Sequence, residues 1–334
     1  MQMTSVPGDP SLHPTWPGLA PTEPERRARG PFSIGEIVQN AYRVDGILGV
    51  GGMGVVYAAT DCNLPRRVAL KAPLHAAFGP AIRNEAQAIA AIRHPSFTAI
   101  YHFGIHENVE FFAMERILGE SLDQRLLTCA AAGCPLSIDE AVRLLIAVGE
   151  ALAAAHRVSV AHRDLKAANI LLSGSRTVLI DLGLFIPEPL VGPSNLAAGS
   201  IQSIAPEVVL GCVVRGGGPL IDIYALGALA YELLVGHAPF VGDSTPLVLA
   251  KHVCGEIPDP REERAEVPAP LAALVRNMLA KEPTDRPSSA DTVVWQLRHI
   301  RGEHVRPSNL PPPSSVPPVS MTLPCPLYRG RDVA

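Results

Sequence analysis

His162-Arg163-Asp164-Leu165-Lys166-Ala167-Ala168-Asn169, followed by the apolar run Ile170-Leu171-Leu172, is the stretch on which the reading of this chain turns. It sets on one short loop a carboxylate that can accept a proton, an ammonium that can hold phosphate oxygens and an amide oxygen that can ligate a hard cation. Phosphoryl transfer asks for those groups together, because that chemistry consists mostly of positioning and charge neutralisation. A solvated polar loop ahead of a buried strand is the plain alternative, so the rest of the chain has to supply the missing parts.

Upstream, Ile47-Leu48-Gly49-Val50-Gly51-Gly52-Met53-Gly54-Val55-Val56-Tyr57 reads as two β-type runs joined by a glycine-dense turn. Without a Cβ in the way, such a turn can bring backbone N–H groups up to a triphosphate. Dinucleotide-binding folds use similar glycines, but there the turn opens a helix. Here Val55-Val56-Tyr57 continues as a strand, which favours a hairpin flap. Val68-Ala69-Leu70-Lys71 follows on another β-type segment; taken alone, its lysine could equally snorkel to the surface. Pro80 to Arg93 reads as a helix with Ile82, Glu85, Ile89 and Ile92 at spacings of three and four. A carboxylate on the apolar side of a helix needs a cationic partner, and Lys71 is the obvious one.

Downstream, Ser137-Ile138-Asp139-Glu140 opens a helix running to about Ala155 that leads into the loop. Thr177-Val178-Leu179-Ile180 is a buried β-type run ending in Asp181-Leu182-Gly183, and an acidic side chain there suits Mg2+ beside Asn169. Ala205-Pro206-Glu207, Asp222-Ile223-Tyr224-Ala225-Leu226-Gly227 and Asp285-Arg286-Pro287 complete the series.

From about residue 40 to 300 these motifs, in this order, resemble eukaryotic-like (Hanks-type) protein kinases, closest in texture to the serine/threonine kinases of bacteria. The resemblance implies an α+β, bilobal fold with a mostly β N-lobe over 39–116, a mostly α C-lobe over 117–300 and ATP in the cleft between them. The residues by themselves also give β segments first and helices after. Residues 1–38 read as a Pro-rich disordered leader and 301–334 as a Pro/Ser-rich disordered tail.

The resemblance further implies the roles. Asp164 orients and deprotonates the acceptor hydroxyl, Lys166 stabilises the transferring phosphoryl group, and Lys71 with Glu85 holds the phosphates. Leu48, Gly49, Gly51, Gly52, Gly54, Val56, Ala69, Lys71, Met114, Glu115, Ile117 and Leu171 surround ATP, with Met114 as gatekeeper. Asn169 and Asp181 bind Mg2+, for which Mn2+ could substitute. Glu207 and Arg286 form a buried pair, and Asp222 braces the catalytic loop. Lys166 favours protein Ser/Thr over Tyr as acceptor. Leu182 departs from the usual D-F-G, and Ser200 and Ser203 stand where Thr and Tyr are usual. Arg163 commonly receives an activation-segment phosphate in such kinases, and Ser194 is the hydroxyl between Leu184 and Gly199; autophosphorylation there would call for a homodimer. A small-molecule kinase and a pseudokinase scaffold are the competing readings. The A-P-E ending speaks against the first and the complete set of phosphate and metal residues against the second.

Composition bounds the partners. The 334 residues are 47% hydrophobic with a net charge of −4 and no dense Lys/Arg run, so nucleic acid or an anionic membrane is not the expected partner. Six cysteines without a C-x-x-C pair fit a reducing, cytoplasmic setting. Among them Cys129 and Cys134 flank an alanine-rich turn and could in principle pair, but read as packing residues. The first thirty residues lack the apolar core of a signal peptide. Val142 to Ala155 is too short to span a membrane, and Asp222 and Glu232 interrupt Leu220 to Val235, so both read as buried helices.

Overall fold

The structure, a computed structural model, describes residues 30–183, 201–214 and 216–303. Its N-terminal part is a six-stranded antiparallel sheet in the order β1-β2-β3-β4-β6-β5. The strands are Ile37–Val38 (β1), Tyr42–Val50 (β2), Gly54–Asp61 (β3), Arg67–Pro73 (β4), Ile100–His106 (β5) and Val109–Glu115 (β6). Successive side chains of a strand point to opposite faces, and β3 and β4 use both. Val55, Tyr57 and Ala59 with Val68, Leu70 and Ala72 fill a sealed layer behind the sheet, joined by Val38, Tyr42, Val44 and Phe111. Val56, Ala69 and Lys71 therefore face the other side, where helix α1 (Gly79–Ala91) packs Ile82 and Ala86 against Ala69, Phe112 and Met114. Register places Val56 opposite Lys71 and Ala69 opposite Met114.

The unpacked leader expected over 1–38 has to be shortened. Residues 1–29 lie outside the described residues, but 30–38 belong to the sheet layer. The Phe32 ring lies 5.6 Å from Tyr57 and 5.9 Å from Phe111, its N–H donates to the Tyr57 hydroxyl at 3.2 Å, and β1 pairs with Arg43 and Tyr42 of β2. One aromatic entering a sealed apolar layer, plus strand hydrogen bonds, offsets the ordering entropy that the proline-rich composition alone would not.

The C-terminal part is helical apart from a small sheet of β7 (Glu120–Ser121), β8 (Ile170–Ser173) and β9 (Arg176–Leu179). Its helices are α2 (Leu122–Ala131), α3 (Ile138–Arg157), α4 (Pro206–Val209), α5 (Gly218–Val235), α6 (Thr245–Cys254), α7 (Pro260–Glu263), α8 (Ala269–Met278) and α9 (Ala290–Ile300). Ser137 caps α3 by accepting the Glu140 N–H on its hydroxyl at 3.1 Å, with Asp139 and Glu140 set against the positive end of the helix dipole. The buried face of α3 meets α5, α8 and α9 in one continuous core. α5 is apolar on every side, as a helix surrounded by others must be. By length and composition it could cross a membrane, yet 78% of it is buried within the protein. The two parts meet where Leu179 of β9 bridges Phe97 and donates its N–H to the Ser96 carbonyl at 2.8 Å. Ser194 and Ser200 lie outside the described residues, as do 304–334 of the expected tail.

Candidate active site

Three elements converge on Lys71. Its Nζ donates to Glu85 Oε1 of α1 and to Asp181 Oδ1 just past β9, each at 2.7 Å. Burial by itself would lower the Lys71 ammonium, but the adjacent Glu85 and Asp181 charges overcome it and raise it well above the usual lysine range. Glu85 goes the other way: burial pushes its carboxyl up, and Lys71 only partly offsets this. At Asp181 burial also pushes upward, but the Lys71 charge and hydrogen bond outweigh it and hold the carboxyl below its ordinary range. The Asp181 side chain keeps 42% of its surface open, so one carboxylate of the three-member cluster remains reachable from the cleft.

A buried carboxylate shapes the catalytic loop. Asp222, fully buried near the start of α5, accepts the backbone N–H groups of His162 at 2.8 Å and Arg163 at 2.7 Å, and pairs with His156 Nε2 at 2.8 Å. Arg163 is held at φ 63° and Asp181 at φ 59°, left-handed conformations that side-chain-bearing residues adopt only when their surroundings impose them. The Gly183 N–H donates to the His162 carbonyl at 2.7 Å, and a Cβ on Gly183 would come within 2.9 Å of the Asp164 Cβ. Glycine is therefore what lets the Asp181 segment lie against the loop. Burial of His162 lowers its pKa, so its imidazole is a neutral spacer.

Within the loop, Asp164 Oδ2 accepts from Lys166 Nζ at 2.8 Å and from Asn169 Nδ2 at 2.9 Å, and Asn169 Nδ2 also reaches the Asp164 carbonyl at 2.8 Å. Among the described residues both side-chain hydrogen bonds of Asn169 are donated by its nitrogen, which leaves its side-chain oxygen as a ligand for a cation. That oxygen and the open Asp181 carboxylate are the hard oxygen ligands that Mg2+ takes, so the residues present fit a divalent ion.

Above the cleft, the turn between β2 and β3 is closed by Gly51 N–H to the Gly54 carbonyl at 2.8 Å, and a Cβ at Gly49 or Gly52 would meet nothing within 4 Å. Val56, Ala69 and Met114 share the cleft face of the sheet, Leu171 stands half-buried on β8 opposite Ser121 and Val178, and Leu48 is exposed in the flap. Glu115 ends β6 and Ile117 lies in the connection from it to β7 and α2. Leu182 is buried in the core that includes Ile89 of α1 and Leu165 of the loop, so leucine fills that position by packing.

Further out, Arg286 and Glu207 form a two-pronged pair at 2.7 and 2.8 Å. The remaining Arg286 N–H groups go to the carbonyls of Leu220, Ala280 and Lys281, and its guanidinium stacks over Tyr224 at 4.8 Å. Every donor of that guanidinium is used.

Several site features were not singled out from the sequence. Arg176 of β9 grips the Glu115 carboxylate at 2.5 and 3.2 Å and ties the inter-lobe connection to the small sheet; its hydrogen bond is the main cause holding that carboxyl down. His156 supports Asp222 from α3. The Ser203 hydroxyl donates to the Leu165 carbonyl at 3.0 Å, fixing the end of the activation segment to the loop. Beside Lys166, Ala168 and Ser203 lies a cavity of about 190 Å³ whose acidic lining is Asp123 and Glu232. Burial first, then Asp123, pushes the Glu232 carboxyl up. Loop-to-sheet pairs of this kind carry no local signal, though an Arg in the short β9 strand beside a hinge Glu was open to pairing by charge.

Comparison with known proteins agrees with this geometry. The family model for the protein kinase domain matches residues 42–296. Serine/threonine-protein kinase PrkC of Bacillus subtilis is 30% identical over 273 residues, covering 79% of this chain and 41% of PrkC. Serine/threonine-protein kinase PknA of Mycobacterium tuberculosis is 31% identical over 304 residues, covering 86% of this chain and 68% of PknA. The chain spans about half the length of the first such relatives. The crystal structure of the Mycobacterium tuberculosis PknI kinase domain superposes with a TM-score of 0.61 at 25% identity, covering 80% of this chain and 99% of that one. With the domain model spanning both lobes and the cleft between them, the chain belongs to the protein kinase family.

Proposed function

We propose that this chain is a serine/threonine protein kinase of bacterial signalling that transfers the γ-phosphoryl group of ATP to protein Ser and Thr hydroxyls. The observation that carries the reading is the convergence of Lys71, Glu85 and Asp181 from three separate elements beside the Asp164–Lys166–Asn169 loop. The curated relatives support it, being serine/threonine-protein kinases by name, and one structural neighbour, Rad53, is in complex with the ATP analogue AMP-PNP.

The chemistry divides among the residues. The glycine turn and Lys71 hold the phosphates, and Val56, Ala69, Met114 and Leu171 enclose the base. Asp164 orients the acceptor hydroxyl and takes its proton as the new O–P bond forms and the bond to the ADP oxygen breaks. Lys166 offsets charge on the group in transfer. Asn169 and Asp181 would hold the divalent ion, Mg2+ by preference with Mn2+ a substitute; when bound it neutralises charge on phosphate oxygens. The enzyme acts in the cytoplasm on protein substrates, and a homodimer lets one copy phosphorylate Ser194 of the other to activate it. Arg163 would receive that phosphate through charge-assisted hydrogen bonds.

The direct test is incubation with labelled ATP, Mg2+ and a generic acceptor such as myelin basic protein, followed by acid hydrolysis. Phosphoserine and phosphothreonine should appear with wild type and vanish with Asp164→Asn. Equal labelling by the two proteins, or none by either, would defeat the reading. For Ser194, mass spectrometry after incubation with Mg-ATP should find it phosphorylated, and Ser194→Ala should lose activity. An unmodified Ser194 in a fully active preparation would sink that part alone.

A further inference from the structure

Helix α2 ends in a way that brings two of the cysteines together. Its cap residue is Ala132, and Gly133 follows at φ 60°. The Gly133 N–H donates to the Ala130 carbonyl at 3.1 Å and the Cys134 N–H to the Cys129 carbonyl at 3.0 Å. That pair of hydrogen bonds with a left-handed glycine between is a helix ending in which the side chains three positions before and two positions after the cap meet. The contact is ordinarily between two apolar residues. Here both positions are cysteine. The backbone hydrogen bond and the covalent lengths on either side of it keep the two Cα atoms within about 7 Å of each other, which overlaps the ~4.4–6.8 Å that disulfides span.

The two thiols are free and unequal in access: Cys134 is exposed, whereas Cys129 is half-buried against the core. Cys62, Cys212 and Cys254 sit on other parts of the fold, outside this turn. An exposed sulfur beside a sheltered one is the arrangement in which the first meets an oxidant and the second resolves the product.

We propose that Cys129 and Cys134 are a modification site, a dithiol that hydrogen peroxide converts to an intrachain disulfide. The Cys134 thiolate attacks a peroxide oxygen and the O–O bond breaks, giving a sulfenic acid and, with one proton taken up, water. The Cys129 sulfur then attacks that sulfenic sulfur; the S–S bond forms and the hydroxide leaves as water with the Cys129 proton. Two thiols lose two electrons in all, and one peroxide becomes two waters. Closing this ring fastens the far end of the helix whose first turn carries Asp123 to the cavity beside Lys166. The site makes no use of the catalytic groups, so it stands whether or not the kinase reading does.

Both cysteines fall in one tryptic peptide, residues 126–143. The full chain, reduced and then exposed to hydrogen peroxide, should yield that peptide two hydrogens lighter and closed to alkylation at both sulfurs, with dithiothreitol restoring the reactive form. Cys134→Ser should abolish the mass loss. Gly133→Val, which puts a branched side chain at the left-handed position, should slow ring closure by about tenfold. The proposal is overturned if peroxide oxidises Cys62 or Cys254 while 126–143 remains fully alkylated. Covalent dimers through Cys134, or ring closure in Gly133→Val at the wild-type rate, would overturn it as well.

Discussion

Two ion clusters in this molecule use the same kinds of side chain to opposite ends. Around Lys71, two carboxylates share one ammonium, one of them is still open to the cleft, and the groups come from both lobes. Around Arg286, one carboxylate meets one guanidinium, every guanidinium N–H is bonded, and the whole set is sealed. The first cluster has an excess of negative charge and an exposed ligand atom, which suits a place where a cation and phosphates come and go. The second is closed to further bonding and can only hold things together. Completeness of bonding, more than burial, separates a working site from a brace.

The comparison can be broken by mutation. The largest effect should come from Asp164→Asn, which leaves the groups proposed to hold ATP in place but removes the proposed proton acceptor. Turnover should fall by about 10³-fold with ATP affinity nearly unchanged, read by steady-state kinetics and nucleotide titration. Next, Arg286→Ala should cost about 3–5 kcal/mol by stranding the buried Glu207 charge, seen as a lower melting temperature. Lys71→Met should abolish most activity but lower melting much less. The Glu85 carboxyl is already pushed up by burial and can take a proton, and Asp181 reaches solvent. Equal losses of melting temperature in the two variants would end the distinction drawn here.

A smaller effect concerns pH. His252 is buried against the Tyr224 hydroxyl, the Phe240 ring, the Ile201 backbone and the Lys281 ammonium, and its pKa is lowered from 6.5 to about 3, first by burial and then by Lys281. The unfolded imidazole takes a proton below pH 6.5 and the folded one does not, so its contribution is full above 6.5 and drains away toward pH 3. At pH 5 the loss is about 2 kcal/mol. Denaturant titrations at pH 7.5 and 5 should show this fall, and His252→Gln should flatten it. The smallest effect is Ser137→Ala at the start of α3, about 1 kcal/mol of stability. Turnover should be unchanged, since the cap supports the helix and touches nothing in the cleft.

The catalytic loop, the lysine strand and the helix bearing Glu85 could be read in the sequence because each sits in a short motif whose chemistry is local, whereas the Glu207–Arg286 pair, 79 positions apart, came from the family resemblance alone. What escaped is non-local. Phe32 reads as one aromatic in a proline-rich leader until the sealed layer of Tyr57 and Phe111 is known. Arg176 and Glu115 are 61 positions apart and meet only because β9 folds back under the connection between lobes. Cys129 and Cys134 looked like packing residues because their spacing alone does not say whether Gly133 turns left-handed, and the turn is what makes them neighbours. Strand register and helix endings translate distance along the chain into contact, and a residue pattern carries them only weakly.

The Asp222 carboxylate has a consequence for motion. It binds two backbone amides of a loop to a helix enclosed in the core, so those amides reach solvent only when their bonds to the buried carboxylate break. His162 and Arg163, although outside any helix or strand, should therefore exchange with deuterium slowly, while the exposed Gly52 of the turn across the cleft exchanges far faster. The proposed proton acceptor, Asp164, thus stands on a loop anchored to the helical core, while the turn proposed to cover the nucleotide hangs from the strands of the other part.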